Sequence, residues 1–360
     1  MAKTKVGVIG CGNISNVYFK NIASLFDNLE VAAVADLDAE RAQAKAGQYG
    51  ISKAYGVEEL LADPGIEVVL NLTTPAAHAE VCMAALTAGK HVYTEKPLAV
   101  SLRDAERVLA LARKKGVRVG AAPDTFLGAG IQTCVQLINE GQIGMPVAAT
   151  AFMANHGHES WHPNPDFYYA QGGGPVFDMG PYYFTALIAL MGPAHRVSGS
   201  VRRTFPSRLI GSGPREGETI PVQIPTHAAG TIDFDCGAIA TFLLSFDVWA
   251  ARLPHIEIYG SDGTLSVPDP NTFGGPVLIR TQDSPDWREV PLTLPWADNC
   301  RGLGLSEMVQ AIAEGRPHRA SGELAMHALE IMHAVHDASG TGKCVTLRSP
   351  APRPAALAPG

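Results

Sequence analysis

Residues 5–36 constrain the fold more than any other stretch. A short apolar run, Lys5-Val-Gly-Val-Ile, leads into Gly10-Cys11-Gly12-Asn13-Ile14-Ser15. A helical pattern follows at Ile14, Val17, Tyr18, Ile22 and Leu25, and a second apolar run, 31–35, ends in Asp36. Strand, glycine turn, helix, strand and acid in this order form the fingerprint of a dinucleotide-binding βαβ unit. Gly10 allows the tight turn. Gly12 lets the backbone approach a pyrophosphate, which sits on the helix N-terminus at Asn13 and Ile14. Asp36 is placed to accept hydrogen bonds from ribose hydroxyls. Ser15 replaces the third glycine, a mild departure at a position that governs helix–strand packing. An acid at 36 repels a 2′-phosphate, so NAD is favoured, with NADP as the alternative. Arg41, five residues on, either softens this preference or, as the favoured reading, is a solvated helix residue.

Two further stretches carry chemistry. Residues 68–75 read as a buried strand ending in Thr73, Thr74 and Pro75, followed by a helix over 78–88. Then comes His91-Val-Tyr-Thr-Glu95-Lys96-Pro97. In an open parallel sheet, ligands bind outside the carboxyl ends of the strands, where Thr73, Thr74 and Lys96 fall. Residues 172–182, Gly-Gly-Gly-Pro-Val-Phe-Asp-Met-Gly-Pro-Tyr, place Asp178 and Tyr182 four apart. On one helix starting near Gly174 they share a face, among apolar neighbours. They form either a structural hydrogen bond or a proton-handling site.

Together these motifs resemble the glucose–fructose oxidoreductase, inositol dehydrogenase and rhizopine-catabolism family of NAD(P)-dependent oxidoreductases. The resemblance covers nearly the whole chain. It rests on Gly10-Cys-Gly12, Thr74-Pro75 followed by His78, Gly89-Lys-His-Val through Glu95-Lys96-Pro97, Gly172-Gly-Gly-x-x-x-Asp178-x-Gly180, Gly315-Arg-Pro and Ala328-Leu-Glu330. It implies a central role for Lys96 beside the reacting hydroxyl, often after a cis Lys–Pro peptide. It implies catalytic roles for Asp178 and Tyr182, and cofactor contacts from Thr73, Thr74, Pro75, His78 and Glu95. Tyr182 stands where many members carry histidine. An unperturbed tyrosine titrates near pKa ~10, so it acts as base only beside a cation. Otherwise Lys96 is the acid/base.

The expected fold is α/β. An N-terminal Rossmann domain spans 1–122, and a C-terminal α/β domain with a large, mostly antiparallel open sheet spans 123–349. A Pro/Ala-rich loose tail occupies 350–360. Strands are expected over 147–153, 197–203, 226–234, 238–246, 255–259 and 277–280, and helices over 130–139, 303–314 and 323–337. The 360 residues suffice for two domains, and 46% hydrophobic content indicates a globular protein. A net charge of −7 without a basic block argues against nucleic acid. No apolar run approaches the ~20 residues of a membrane span. Six scattered cysteines and the lack of a signal segment point to the cytoplasm.

Other candidates lie near the site. Asn155-His156-Gly-His158-Glu-Ser-Trp161-His162 reads as a sugar pocket using His156 and Trp161, as a metal site, or as a solvated loop. No metal is expected, because hydride transfer needs no Lewis acid. Asp124 is a plausible substrate contact. His327, His333 and His336 read as surface helix residues, and His227 is open either way. The reading is an NAD-dependent oxidoreductase of a secondary sugar or polyol hydroxyl, a homodimer or homotetramer through its C-terminal sheet. Redox-assisted glycoside cleavage, a net hydrolysis on the same fold, is the alternative.

Overall fold

The computed structural model describes residues 3–162 and 164–358. It divides into two compact units, Met1–Asp124 with Asn299–Met326, and Thr125–Asp298 with His327–Gly360. The first unit carries six strands: β1 (Thr4–Ile9), β2 (Leu29–Ala35), β3 (Ala54–Tyr55), β4 (Val68–Asn71), β5 (His91–Thr94) and β6 (Val119–Ala121). Their order is β3-β2-β1-β4-β5-β6, with every pair parallel. Such a sheet is covered on both faces, so its central strands are near-continuous apolar runs. Val6, Val8, Ile9, Val68, Val69, Leu70, Val92 and Tyr93 are all buried. The strand order reverses between β1 and β4, which opens a crevice at their carboxyl ends.

Helices α1 (Ser15–Leu25), α2 (Ala39–Tyr49), α3 (Val57–Ala62), α4 (His78–Thr87) and α5 (Leu102–Lys115) connect these strands. Helix α5 shows why they form. Ala105, Val108, Leu109 and Ala112 make one buried stripe. The Ser101 hydroxyl accepts the Asp104 N–H, and Gly116 closes the other end in the left-handed region.

The second unit is built on a nine-stranded sheet. Its strands are β7 (Pro146–Ala154), β8 (Ala194–Arg202), β11 (His227–Phe234), β12 (Ile239–Ser245), β13 (Ile256–Gly260), β14 (Gly263–Val267), β15 (Val277–Thr281), β16 (Ser284–Val290) and β17 (Val345–Thr346). A separate hairpin pairs β9 (Ser207–Leu209) with β10 (Thr219–Pro221). The large sheet runs β16-β15-β14-β13-β7-β12-β11-β8-β17, antiparallel except at β7–β12. Its helices are α6 (Ala129–Asn139), α7 (Gly174–Asp178), α8 (Gly180–Met191) and, from His327 on, the long α10 (Gly322–Thr341), while α9 (Leu303–Ala313) belongs to the first unit. All of α8 is buried, as its apolar sequence requires.

Four expectations need correction. Residues 299–326 return to the nucleotide unit, where Met308 packs close to Gly120 of β6. The tail is docked: Ala351 is buried, Arg353 donates to the Ala189 carbonyl, and the Leu357 N–H donates to Gln132. Residues 359 and 360 of that tail lie outside the described residues. Strands β14 and β16 were not anticipated; β16 is a largely exposed edge strand with charged residues and a proline. The expected continuous helix after Gly174 is two helices, broken at Met179. Pro181 is the cause. It has no N–H to donate to the preceding turn, so it fits only the first turn of a new helix.

Candidate active site

At the nucleotide end of the first unit, Ile9 of β1 pairs with Ala35 of β2. Gly10 then turns with φ +103°, and a Cβ there would sit 2.6 Å from the Leu72 carbonyl. Only glycine lets the loop pass so close to the end of β4. Gly12 differs, because a Cβ on it would meet no protein atom within 4 Å. The chain does not itself need glycine there; the space left open is what a pyrophosphate requires. Asn13 and Ile14 are exposed beside it. Ser15 is buried, and its hydroxyl donates to the Gly12 carbonyl at 2.7 Å, which explains why serine serves as third residue. Asp36 accepts the Cys11 N–H at 2.7 Å on one oxygen and the Asp38 N–H at 3.0 Å on the other. Arg41 is not simply solvated. Its guanidinium, half exposed, lies 3.6 Å from Asp36 and also pairs with Asp38.

The ends of β4 and β5 are joined by a second set of bonds. Buried Asn71 accepts from both the N–H and the hydroxyl of Thr73, and its carbonyl takes the Glu95 N–H at 2.9 Å. Thr73 therefore uses its hydroxyl inside the turn, while Thr74 stands exposed ahead of the short 3-10 turn Pro75–Ala77. Glu95 accepts the Tyr18 hydroxyl at 2.7 Å on one oxygen and the Lys96 N–H at 3.0 Å on the other. It supports the lysine backbone. Lys96 is half-buried, and the Lys96–Pro97 peptide is cis.

Two expected contacts have other roles. His78 is fully buried between the Pro97 and Thr73 carbonyls, so it does not face a cofactor directly. Asp124 is also buried, and one oxygen accepts the N–H groups of Gly302 and Gly304. Burial raises its carboxyl to about 6, against those two bonds. In the structure its carboxylate holds the start of α9.

In the second unit, Asp178 closes α7, and buried Tyr182 lies in the first turn of α8. The glycine run has steric causes. A Cβ on Gly173 would meet the Phe167 carbonyl at 2.4 Å, and one on Gly174, at φ +86°, the Pro225 carbonyl at 2.8 Å. An Asp178 carboxylate oxygen lies 3.5 Å from Nε2 of His158. His158 is buried and stacked on Tyr168 at 3.8 Å, with Trp161 tilted at 5.3 Å. His156 stacks on Trp249 at 3.4 Å, and its Nε2 lies 3.3 Å from buried Arg208. Burial, then the Arg208 charge, lowers the His156 pKa. Arg208 also pairs with Glu159 and Asp247, which ties the His156 loop to strand β9 and to the loop after β12. Trp161 and Trp249 remain largely exposed. Among the described residues, no three His, Cys, Asp or Glu side chains are grouped to hold a metal ion.

Residues 4–122 match the family described as "Oxidoreductase family, NAD-binding Rossmann fold", and residues 131–266 match the "GFO/IDH/MocA C-terminal domain". The 1,5-anhydro-D-fructose reductase of Ensifer adhaerens is 30% identical over 328 residues, covering 89% of this chain and 92% of that protein. The chain belongs to the glucose–fructose oxidoreductase, inositol dehydrogenase and rhizopine-catabolism family. Among solved structures, an NAD-binding oxidoreductase from Klebsiella pneumoniae superposes with TM-score 0.84 at 23% identity, covering 96% of this chain and 99% of that one. A levoglucosan dehydrogenase in complex with NADH and L-sorbose gives TM-score 0.82 at 20% identity, covering 97% and 100%. These two likenesses show the fold.

As a member of this family the chain is an oxidoreductase with an NAD-binding Rossmann domain. No helix among the described residues is long and apolar enough to cross a membrane. Sequence reasoning missed the residues that hold its site together: Asn71, Tyr18, His158 beside Asp178, and Arg208 beneath His156. His158 was within reach, since it lies in the histidine cluster at 156–162. The histidines of α10 differ from expectation too. His327 is buried, bonding the Ala194 N–H and the Ser349 hydroxyl, while His333 and His336 pack on Phe177. His227 faces the Ser245 hydroxyl at 2.9 Å.

Proposed function

We propose that the chain oxidises a secondary ring hydroxyl of a sugar, polyol or glycoside, or reduces the matching ketone. One observation carries the reading. The dinucleotide loop, the turn after β4 and the Lys96 corner form one bonded piece: Gly10 lies against Leu72, and Asn71 holds both Thr73 and Glu95. A lysine built into the same piece as the dinucleotide loop supports the reading that Lys96 serves the carbon that exchanges hydride. When bound, NAD supplies the hydride acceptor. Lys96 takes the hydroxyl proton. Tyr182 and Asp178, the latter 3.5 Å from His158, are the second unit's groups for handling the substrate's hydroxyls. The protein needs only to position the reactants and move one proton.

Asp36, just past the end of β2, supports preference for NAD over NADP, since a carboxylate at that point of the fingerprint repels a 2′-phosphate. The pairing with Arg41 reduces that repulsion without removing it. The open face of the large sheet supports a homodimer or homotetramer. Ala228, Ile232, Ala240 and Phe242 are buried on one face, whereas Thr231, Thr241 and Thr150 stand in register on the other and are less covered.

The test is a screen of monosaccharides, inositols and glycosides for NADH formation, with product analysis, repeated with Lys96→Ala. Near wild-type turnover by Lys96→Ala on the best substrate would overturn the reading. Release of free sugar without net NADH would replace oxidation by redox-assisted glycoside cleavage.

A further inference from the structure

We propose that His78 is a positioning residue, a latch that clamps the Lys96–Pro97 corner onto the turn after β4 so that both keep one spacing. The inference rests on the role given to Lys96 above. His78 opens α4 and is completely buried. Its Nδ1 lies 2.7 Å from the Pro97 carbonyl oxygen, and its Nε2 lies 3.1 Å from the Thr73 carbonyl oxygen. The ring thus touches the residue just after the lysine and the residue that Asn71 fixes at the end of β4.

Both partners can only accept. A neutral imidazole has one N–H, so it donates to one carbonyl and turns a lone pair toward the other. Only the imidazolium donates to both. Burial opposes that charge and lowers the His78 pKa; the Pro97 and Thr73 carbonyls and Glu95 act in the opposite direction, and Lys96 again lowers it. Glu95 and Lys96 are the charged groups acting on the ring, and Cys82 lies one turn along α4, facing Asn71. The backbone of His78 is held as well, because its carbonyl accepts from the Asn71 amide at 3.1 Å, and complete burial confines the ring. The two ring contacts therefore have separate duties, one of them an N–H bond in the neutral ring and both of them in the imidazolium. The Nδ1 contact bears on the lysine corner, and the Nε2 contact bears on the turn next to the dinucleotide loop.

Asparagine and glutamine separate these duties. The Asn amide nitrogen sits at the δ position and reaches Pro97; the Gln amide nitrogen sits at the ε position and reaches Thr73. In the full chain, two readouts need no substrate: the NAD dissociation constant, and labelling of Lys96 by an amine-reactive reagent against pH in NAD-saturated protein, quantified by mass spectrometry. His78→Asn should leave Lys96 labelling near wild type and weaken NAD binding about threefold or more, the effect of one neutral hydrogen bond. His78→Gln should do the reverse, changing Lys96 labelling by about threefold or more with NAD binding spared. His78→Phe should show both defects. Equal behaviour of Asn and Gln overturns the latch, as does a common fall in melting temperature with both readouts unchanged. Full turnover by Lys96→Ala would instead sink the functional reading, and the crossed pattern would still judge the latch.

Discussion

Gly12 and Gly10 lie two residues apart, yet the structure gives them opposite duties, and alanine substitutions should separate them. At Gly12 a Cβ meets nothing within 4 Å, and the residue does not have a positive φ. Gly12→Ala should therefore keep the stability of the unliganded chain within about 0.5 kcal/mol. The same methyl enters the space a pyrophosphate needs. Forcing a group into filled space costs about 1–3 kcal/mol, which corresponds to roughly a 5- to 150-fold weaker Kd at about 1.4 kcal/mol per decade. At Gly10 the costs fall on the fold. A left-handed φ costs a non-glycine residue about 1–2 kcal/mol. Contact at 2.6 Å with the Leu72 backbone adds about 1–3 kcal/mol. Gly10→Ala should thus lose about 2–5 kcal/mol before any cofactor is added. Urea unfolding without NAD reads the first quantity, and calorimetric titration with NAD reads the second. Wild-type NAD affinity in Gly12→Ala would refute the claim that its open space belongs to the cofactor. Wild-type stability in Gly10→Ala would refute the steric account of the turn.

Other outcomes follow from the same geometry. Wild-type enzyme should use NAD at least about tenfold better than NADP, a difference of roughly 1.4 kcal/mol. Arg41→Ala should widen that ratio by a further two- to fivefold or so, since the half-exposed pair is worth little; a ratio that narrows in steady-state kinetics would contradict this. Lys96→Ala and Asp178→Ala should each lower kcat by about a hundredfold or more while NAD still binds. Tyr182→Phe should cost less if Lys96 is the base, and the pH–rate limb lost in each variant identifies the base. Burial holds the Asp124 carboxyl at about 6 in the folded chain, against about 3.9 when unfolded. The folded state therefore binds the extra proton, so stability is greatest below pH ~4 and falls as pH rises through about 6. Asp124→Asn should remove this slope and raise the urea midpoint at pH 8; a lower midpoint at pH 8 than wild type would show that the ionised carboxylate stabilises the fold.

The parts of this protein legible in its sequence are those set by neighbours along the chain. The Gly10–Asp36 unit is read from spacing because the turn, helix start and strand end lie within a few residues of each other. Residues 299–326 were assigned to the wrong unit because α9 packs beneath β6 through contacts between residues nearly two hundred positions apart. Arg41 could not be read, because its reach to Asp36 depends on how α2 is rotated. Met179 could have been read: Pro181 announces the break, but the Asp178–Tyr182 spacing suggested one helix.

The same division runs through the site. Gly12, Asp36 and Lys96 have positions a ligand can test directly, and sequence motifs are dense in such residues. His78 and Asp124 read in sequence as ligand contacts because they stand beside motif residues at strand ends. Their real partners are chain carbonyls and N–H groups, Thr73 and Pro97 for one, Gly302 and Gly304 for the other. A buried polar side chain must find a partner, and a residue next to a cofactor loop meets that need either from the ligand or from the loop. Burial decides between the two. It is a property of the packed helix and sheet, so a histidine one turn from Thr74 and an aspartate just past β6 looked alike in sequence to the residues they support.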